Sequence, residues 1–314
     1  DISFDIQKGE TLGIVGESGC GKSTAAKAII QIPKPTSGKV IYDGTDLTSL
    51  DKEGMRQQRP SIQMIYQDPI SSLNPRRTVF NIVNAGTRVW STEHGRAQEE
   101  KVEEIIEAVG LDPTEAKKRR PHEYSGGQCQ RISVARALVL DPKVIICDEP
   151  VSSLDVSVQA RILNMLQDMK EEYGLTLLFI SHDLSVVKNI SDRVAVMYLG
   201  KLCEIGDGDL IYEKPSHPYT RLLLAAIPDP ENKHAVINDI LEGELPSPLD
   251  PPSGCRFRTR CPRATVKCAE EEPEFQQIGD QDHWVACHFP HLDDYEESDA
   301  EPENSTEVLW PPSD

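Results

Sequence analysis

The segment Gly16-Glu17-Ser18-Gly19-Cys20-Gly21-Lys22-Ser23-Thr24 fits the pattern G-x-x-x-x-G-K-[ST], and it constrains the fold more than anything else in the chain. The apolar run Thr11-Leu12-Gly13-Ile14-Val15 before it reads as a buried strand, and Ala25 to Ile30 after it reads as a helix. A strand, a glycine-rich loop and a helix in that order form the context such a loop needs. Glycines let the backbone wrap tightly, so that successive N–H groups point inward at phosphate oxygens. The N-terminus of the following helix adds a favourable dipole for an anion. In this geometry Lys22 carries a positive charge to the β- and γ-phosphates of a nucleotide, and the Ser23 hydroxyl is a ligand for Mg²⁺.

Three further segments narrow the reading. Tyr124-Ser125-Gly126-Gly127-Gln128-Cys129-Gln130-Arg131 precedes a helical run that ends near Leu140. Val144-Ile145-Ile146-Cys147-Asp148-Glu149-Pro150 reads as a buried strand ending in two carboxylates. Leu177-Leu178-Phe179-Ile180-Ser181-His182-Asp183 reads as a strand ending at a polar histidine. In this order they resemble the Walker A, signature, Walker B and switch-histidine motifs of ATP-binding cassette (ABC) ATPases. Gln67 in Met64-Ile65-Tyr66-Gln67-Asp68-Pro69 matches the Q-loop of that family, and Ser153-Leu154-Asp155 matches its D-loop. The resemblance covers about residues 1–290. It implies an α/β fold: a P-loop core with an antiparallel β-subdomain and a helical subdomain.

The resemblance implies roles that elementary chemistry supports. Asp148, at the carboxyl edge of a parallel sheet, is placed where ligands bind and can hold Mg²⁺ together with Ser23 and Gln67. In the family the residue at the Glu149 position polarises the attacking water, and such help is worth about 10²–10⁴-fold in rate. The residue at the His182 position contacts the γ-phosphate and orients the water. Ser125, Gly126 and Gly127 open a helix, whose unpaired N–H groups and dipole form a second anion site. By resemblance, two cassettes pair head to tail, and ATP lies between one Walker A loop and the partner's Ser125, Gly126, Gly127 and Gln128, with Asp155 at the same interface. Cys129 departs from the family, which usually carries a long polar or basic residue there.

Two segments point to a branch of the family. Gln67-Asp68-Pro69-Ile70-Ser71-Ser72-Leu73-Asn74-Pro75 and His217-Pro218-Tyr219-Thr220-Arg221-Leu222-Leu223-Leu224-Ala225-Ala226-Ile227-Pro228 resemble segments of the ATPases of oligopeptide/dipeptide importers. The second opens their C-terminal extension, and it also reads as an amphipathic helix docked on the core. The branch implies a second ATPase subunit, identical or different, two transmembrane permeases and an extracytoplasmic substrate-binding protein. It places the chain at the cytoplasmic face of the plasma membrane. Sugar oligomers or nickel are alternative cargoes of related systems. Outside this class stand a partner subunit that binds ATP without hydrolysing it, and a soluble ABC protein of repair or translation. Intact Glu149 and His182 argue against the first, and the 217–228 segment against the second.

Composition is compatible with this reading. At 314 residues the chain is long enough for one ATPase domain and an extension. No run of 18 apolar residues occurs, so a membrane-spanning helix is not expected and membrane association falls to partner subunits. A formal charge of −19 argues against a nucleic-acid surface. Nine of the acidic residues follow His291 without any Lys or Arg, so residues 291–314 are expected to be a disordered acidic tail. The remaining acidity fits either a salt-loving source or an ordinary acidic protein. The expected organisation is an ATPase domain over 1–206, with a helical subdomain at about 68–141, then an extension over 207–290. Asp1-Ile2-Ser3-Phe4-Asp5-Ile6 reads as a strand just before the Walker A strand, and the adenine-stacking aromatic of the family is expected upstream of Asp1.

Cysteines carry two expectations. Cys20 lies inside the phosphate loop beside Lys22 and a helix N-terminus, which together should lower its thiol pKa. Cys255, Cys261, Cys268 and Cys287 fall in the extension, in surroundings that resemble the cysteine-rich tail of the importer ATPases. Four thiolates suit a [4Fe–4S] cluster or a tetrahedral Zn²⁺. The spacings lack the tight pairs of common zinc sites, which turns the expectation toward the cluster, with zinc, free thiols or disulfides as alternatives.

Overall fold

A computed structural model describes residues 2–90, 94–227 and 246–292. The expected acidic tail lies outside them from residue 293 on, as do residues 228–245 of the extension. Among the described residues ten strands run in chain order: β1 (Thr11–Val15), β2 (Ile41–Tyr42), β3 (Thr45–Asp46), β4 (Ile62–Ile65), β5 (Val144–Asp148), β6 (Thr176–Ser181), β7 (Arg193–Tyr198), β8 (Lys201–Asp207), β9 (Phe275–Gln277) and β10 (His283–Ala286). The chain divides into two compact units. One comprises Asp1–Asp5, Leu12–Lys22 and His182–Asp314, and the other Ile6–Thr11 and Ser23–Ser181.

The second unit is built on parallel pairing of β4, β5 and β6, with Ile62 opposite Val144 and Asp148 opposite Ile180. β6 is buried along its whole length and β5 nearly so. Continuous apolar runs of this kind are what parallel strands covered on both faces require. Between β4 and β5 the chain is helical, with segments Pro69–Ser72, Val79–Trp90, Arg96–Ala108, Pro113–Ala116 and Gly126–Leu138. Two of the longer helices are Val79–Trp90 and Arg96–Ala108. Val79, Ile82 and Val83 of the first and Val102, Ile105 and Ile106 of the second are buried. Each such side chain removed from water contributes about 1.5–3 kcal/mol.

In the first unit β1 pairs in parallel with β7, and β7 forms an antiparallel hairpin with β8. Leu199 and Gly200, both with positive φ, make the hairpin turn. β10 then adds to β8, with Trp284 opposite Ile205, and β9 adds to β10. The extension thus lengthens the sheet that holds the phosphate-loop strand. Ile2–Ile6 forms no regular strand, contrary to the reading of its sequence. A strand needs a ladder partner, and none pairs with it among the described residues.

A buried carboxylate organises the junction of β8 with the extension. Glu204 is fully buried and accepts hydrogen bonds from Ser216 N (2.6 Å) and His217 N (3.0 Å). His283 Nε2, from β10, lies 2.7 Å from its Oε1. His217 in turn caps the helix Pro218–Ala225 by accepting the Tyr219 N–H at Nδ1, 3.0 Å away. Burial pushes the His217 pKa down to about 4, against the pull of Glu204. Its imidazole is therefore neutral at pH 7, as an acceptor at Nδ1 must be.

Two outcomes follow from this junction. Glu204→Ala leaves buried donors without an acceptor and is expected to destabilise the chain by about 3 kcal/mol or more. An unchanged thermal midpoint would contradict that role. His217 titrates near 6.5 when unfolded and near 4 when folded. The unfolded chain therefore takes the proton first, and this contribution to stability is whole above pH 6.5 and lost as pH falls toward 4. Asparagine also caps helices but does not titrate. His217→Asn should therefore show a smaller drop in thermal midpoint between pH 7 and pH 4.5 than the parent chain.

Candidate functional site

The phosphate loop leaves β1 at Gly16, and its shape is dictated by contact with β7. A Cβ at Gly16 would lie 2.1 Å from the carbonyl oxygen of Met197, and its φ of 153° is one that side chains rarely adopt. The helix Lys22–Ile29 begins at the end of the loop. Lys22 is 4% exposed, and its Nζ donates to the carbonyls of Gly16 (2.6 Å) and Glu17 (3.1 Å). The ammonium is thereby held against the loop itself, where a polyphosphate would be counter-charged.

In the second unit the polar ends of adjacent parallel strands converge. Ser23 Oγ donates to Asp148 Oδ1 at 2.7 Å. A hydroxyl and a carboxylate oxygen side by side are the hard oxygen donors that Mg²⁺ takes. Glu149 follows β5 in a left-handed backbone conformation, φ 48°, with its N–H bonded to Ile180 O at 2.9 Å. Non-glycine residues pay about 1–3 kcal/mol for such a conformation, which persists where the surroundings over-determine it, often at functional sites. Gln67 Nε2 donates to Glu149 Oε2 at 3.0 Å. Ser23, Gln67, Asp148 and Glu149, four expected site residues, are thus joined in two hydrogen-bonded pairs at the carboxyl ends of β4 and β5. His182 lies exposed immediately after β6.

Ser125, Gly126, Gly127 and Gln128 begin the helix Gly126–Leu138. Ser125 and Gln128 form a reciprocal capping box, with Gln128 N to Ser125 Oγ at 3.3 Å and Ser125 N to Gln128 Oε1 at 3.0 Å. Gly127 is required by close packing, since a Cβ there would lie 2.5 Å from Val158 Cγ1. Asp155 caps the helix Val156–Tyr173 that carries Val158, and its carboxyl is held low by hydrogen bonds from Ser157 and Val158. Cys129 is buried, with its thiol 3.4 Å from Pro121 O, and stands as a small core side chain. Sequence reasoning missed Arg136, which donates to Ser72 O at 2.6 Å and ties this helix to the short helix after Gln67.

Two cysteine expectations are corrected. Cys20 is 2% exposed, and burial raises its pKa, outweighing the charge of Lys22 whose Nζ is 4.0 Å from the sulfur. Its thiol stays protonated at neutral pH. Cys255, Cys261, Cys268 and Cys287 line one cavity, but that cavity is only about 10 Å³, room for one water at most. Among the described residues no group of three or more His, Cys, Asp or Glu could hold a metal ion. Burial raises the Cys255 pKa and pushes Cys261 up to about 11 and Cys287 to about 12. As placed, the four cysteines fit neither a [4Fe–4S] cluster nor Zn²⁺. All eight cysteines are free.

The chain is similar to known proteins over most of its length. Residues 1–152 match the family model for ABC transporters, and residues 203–268 match that for the C-terminal region of oligopeptide/dipeptide transporters. The chain is 51% identical over 291 residues to the oligopeptide transport ATP-binding protein AppF of Bacillus subtilis, covering 92% of this chain and 88% of that one. It is 52% identical over 289 residues to the oligopeptide transport ATP-binding protein OppF of Salmonella typhimurium, covering 91% and 86%. Among solved structures, cbiO1 of Clostridium perfringens, part of the ABC transporter complex cbiONQ, superposes with a TM-score of 0.62 at 30% identity over 67% of this chain and 82% of that one. The cassette MJ0796, in a dimeric form bound to ADP and Pi, gives 0.60 at 28% identity over 66% and 89%.

The buried, protonated state of Cys20 has a direct check. At pH 7 a maleimide should modify Cys20 of the folded chain far more slowly than in the same chain unfolded in denaturant. Comparable rates in the two states would contradict the burial.

Proposed function

The chain belongs to the ATP-binding subunits of oligopeptide/dipeptide ABC transporters, and from that premise we propose how its residues couple ATP to peptide uptake. It is an ABC-type ATPase with the fold of that family. The observation that carries the reading is the pair of contacts Ser23–Asp148 and Gln67–Glu149 at adjacent strand ends. They bring a metal-binding oxygen pair and a base candidate to neighbouring strands after a phosphate loop.

In this reading the backbone N–H groups of residues 16–24 and the Lys22 ammonium bind the phosphates of ATP. Ser23, Asp148 and Gln67 would hold Mg²⁺, whose charge would offset that of the phosphate oxygens. Glu149 accepts a proton from the attacking water, and its bond with Gln67 positions the carboxylate for this. His182 orients the same water against the γ-phosphate. Ser125, Gly126, Gly127 and Gln128 offer helix-terminal N–H groups to a nucleotide held by a second ATP-binding chain, with Asp155 at that interface. The relatives named for oligopeptide transport support peptides as the cargo.

The partners proposed are a second ATPase subunit, two permeases and an extracytoplasmic binding protein. The chain would sit on the permeases at the cytoplasmic face of the membrane. No helix among the described residues is long and apolar enough to cross one. Gln67 and the helix Pro69–Ser72 relay the state of the γ-phosphate site to the permeases. The Arg136–Ser72 bond passes the same shift to the helix that begins at Gly126.

Glu149→Gln separates binding from chemistry. In the reconstituted importer it should retain Mg-ATP and lower phosphate release by about 10²-fold or more. Turnover within a few-fold of the parent would remove Glu149 from the role of water-activating group.

A further inference from the structure

Two side chains of the C-terminal extension end on a single residue of the phosphate loop. Arg260 Nη1 donates to both carboxylate oxygens of Glu17, at 2.8 and 3.0 Å. The arginine side chain is 5% exposed and the glutamate 26%, so the pair is shielded from water. The hydroxyl of the fully buried Tyr219 accepts the main-chain N–H of Glu17 at 3.0 Å. Both groups are held in place by an aromatic cluster. The Tyr219 ring lies 4.8 Å from Tyr198 and 5.2 Å from Phe257, and the Arg260 guanidinium lies 5.9 Å from the centre of the Tyr198 ring. The β7–β8 turn completes the brace. Gly200 N–H donates to Cys20 O at 2.7 Å, while Arg256 donates to Leu199 O.

Glu17 poses an electrostatic problem for a loop that binds polyphosphate. A carboxylate one residue into an anion site repels the ligand, and low local polarity strengthens that repulsion. An arginine donating to both carboxylate oxygens removes most of it and fixes the side chain. The peptide orientation matters as well. A loop N–H committed to Tyr219 sets the direction of the Glu17 peptide and so of the N–H groups that follow it.

We propose that Arg260 and Tyr219 are positioning residues for nucleotide binding, through which the extension sets the charge and backbone geometry of the phosphate loop at Glu17. This rests on the reading of residues 16–24 as the ATP-phosphate site. By reciprocity, bound phosphate then tightens the docking of the extension on the loop. The extension is on this account a part of the nucleotide site.

The test measures dissociation constants of the full chain for Mg-ATP and Mg-ADP, with thermal midpoints of the nucleotide-free proteins alongside. Arg260→Ala should weaken Mg-ATP binding about tenfold and Mg-ADP binding less, because the exposed Glu17 charge acts in proportion to ligand charge. Arg260→Lys, which keeps the charge, should recover part of the loss. Glu17→Gln combined with Arg260→Ala should return Mg-ATP affinity to within about twofold of the parent, since no charge is left uncompensated. Tyr219→Phe removes one hydroxyl and should weaken both nucleotides about fivefold.

Parental Mg-ATP affinity in Arg260→Ala would overturn the proposal, as would a double variant no better than Arg260→Ala. If Arg260→Ala does not fold, Tyr219→Phe and the double variant decide. Unchanged affinity in Tyr219→Phe, or a lasting Mg-ATP defect in a folded double variant, then overturns it. A parent chain that binds Mg-ATP no better than Lys22→Ala would instead sink the nucleotide reading beneath it.

Discussion

The carbonyl of Met197 lies where a side chain on Gly16 would have to begin, and the phosphate loop takes its shape from that contact. Close approach of β7 to the loop leaves room for glycine alone, so the strand beside β1 acts as a template for the turn. The same strand leads into the Leu199–Gly200 turn, whose amide holds Cys20 O. A loop braced in this way offers its remaining N–H groups without having to reorganise when an anion arrives. Electrostatic sites gain most of their strength from such preorganisation. The packing that serves the loop also buries Cys20, and so a cysteine in an electropositive setting remains a protonated thiol.

The extension takes part in the same construction. Glu204, fully buried on β8, gathers the amides of Ser216 and His217 and the ring of His283. That gathering starts the helix Pro218–Ala225 at a fixed point and seats β10 beside β8. Tyr219, two residues after His217, then reaches Glu17 of the loop. A buried carboxylate is costly to desolvate, and here the cost is offset by neighbours that satisfy both of its oxygens. The geometry of the His-Pro-Tyr segment therefore has consequences at the nucleotide loop.

Much of the proposed site is local in the chain. Gly16 to Thr24, Ser125 to Gln128 and Asp148-Glu149 each lie on one strand–loop or loop–helix unit, where residue type and spacing fix the chemistry. Long-range polar pairing was not legible in the sequence. Arg260 meets Glu17 across 243 residues, and Arg136 meets Ser72 across 64. Nothing in the neighbourhood of either arginine marks it. The cysteines failed as guides because reactivity depends on burial and metal binding on the space and arrangement of the folded side chains, neither of which spacing encodes. Lys22 beside Cys20 suggested a thiolate, and burial outweighed it. Four cysteines in 33 residues suggested a cluster, yet they line a cavity too small to house one.

In the proposed function these residues form an ATP-hydrolysing site that drives transport. The most direct measurement is steady-state phosphate release from Mg-ATP by the importer reassembled in liposomes, comparing the parent chain with Lys22→Ala. The account predicts release that rises when peptide-loaded binding protein is added to the parent, and only background release from Lys22→Ala. Equal release from the two assemblies would contradict it.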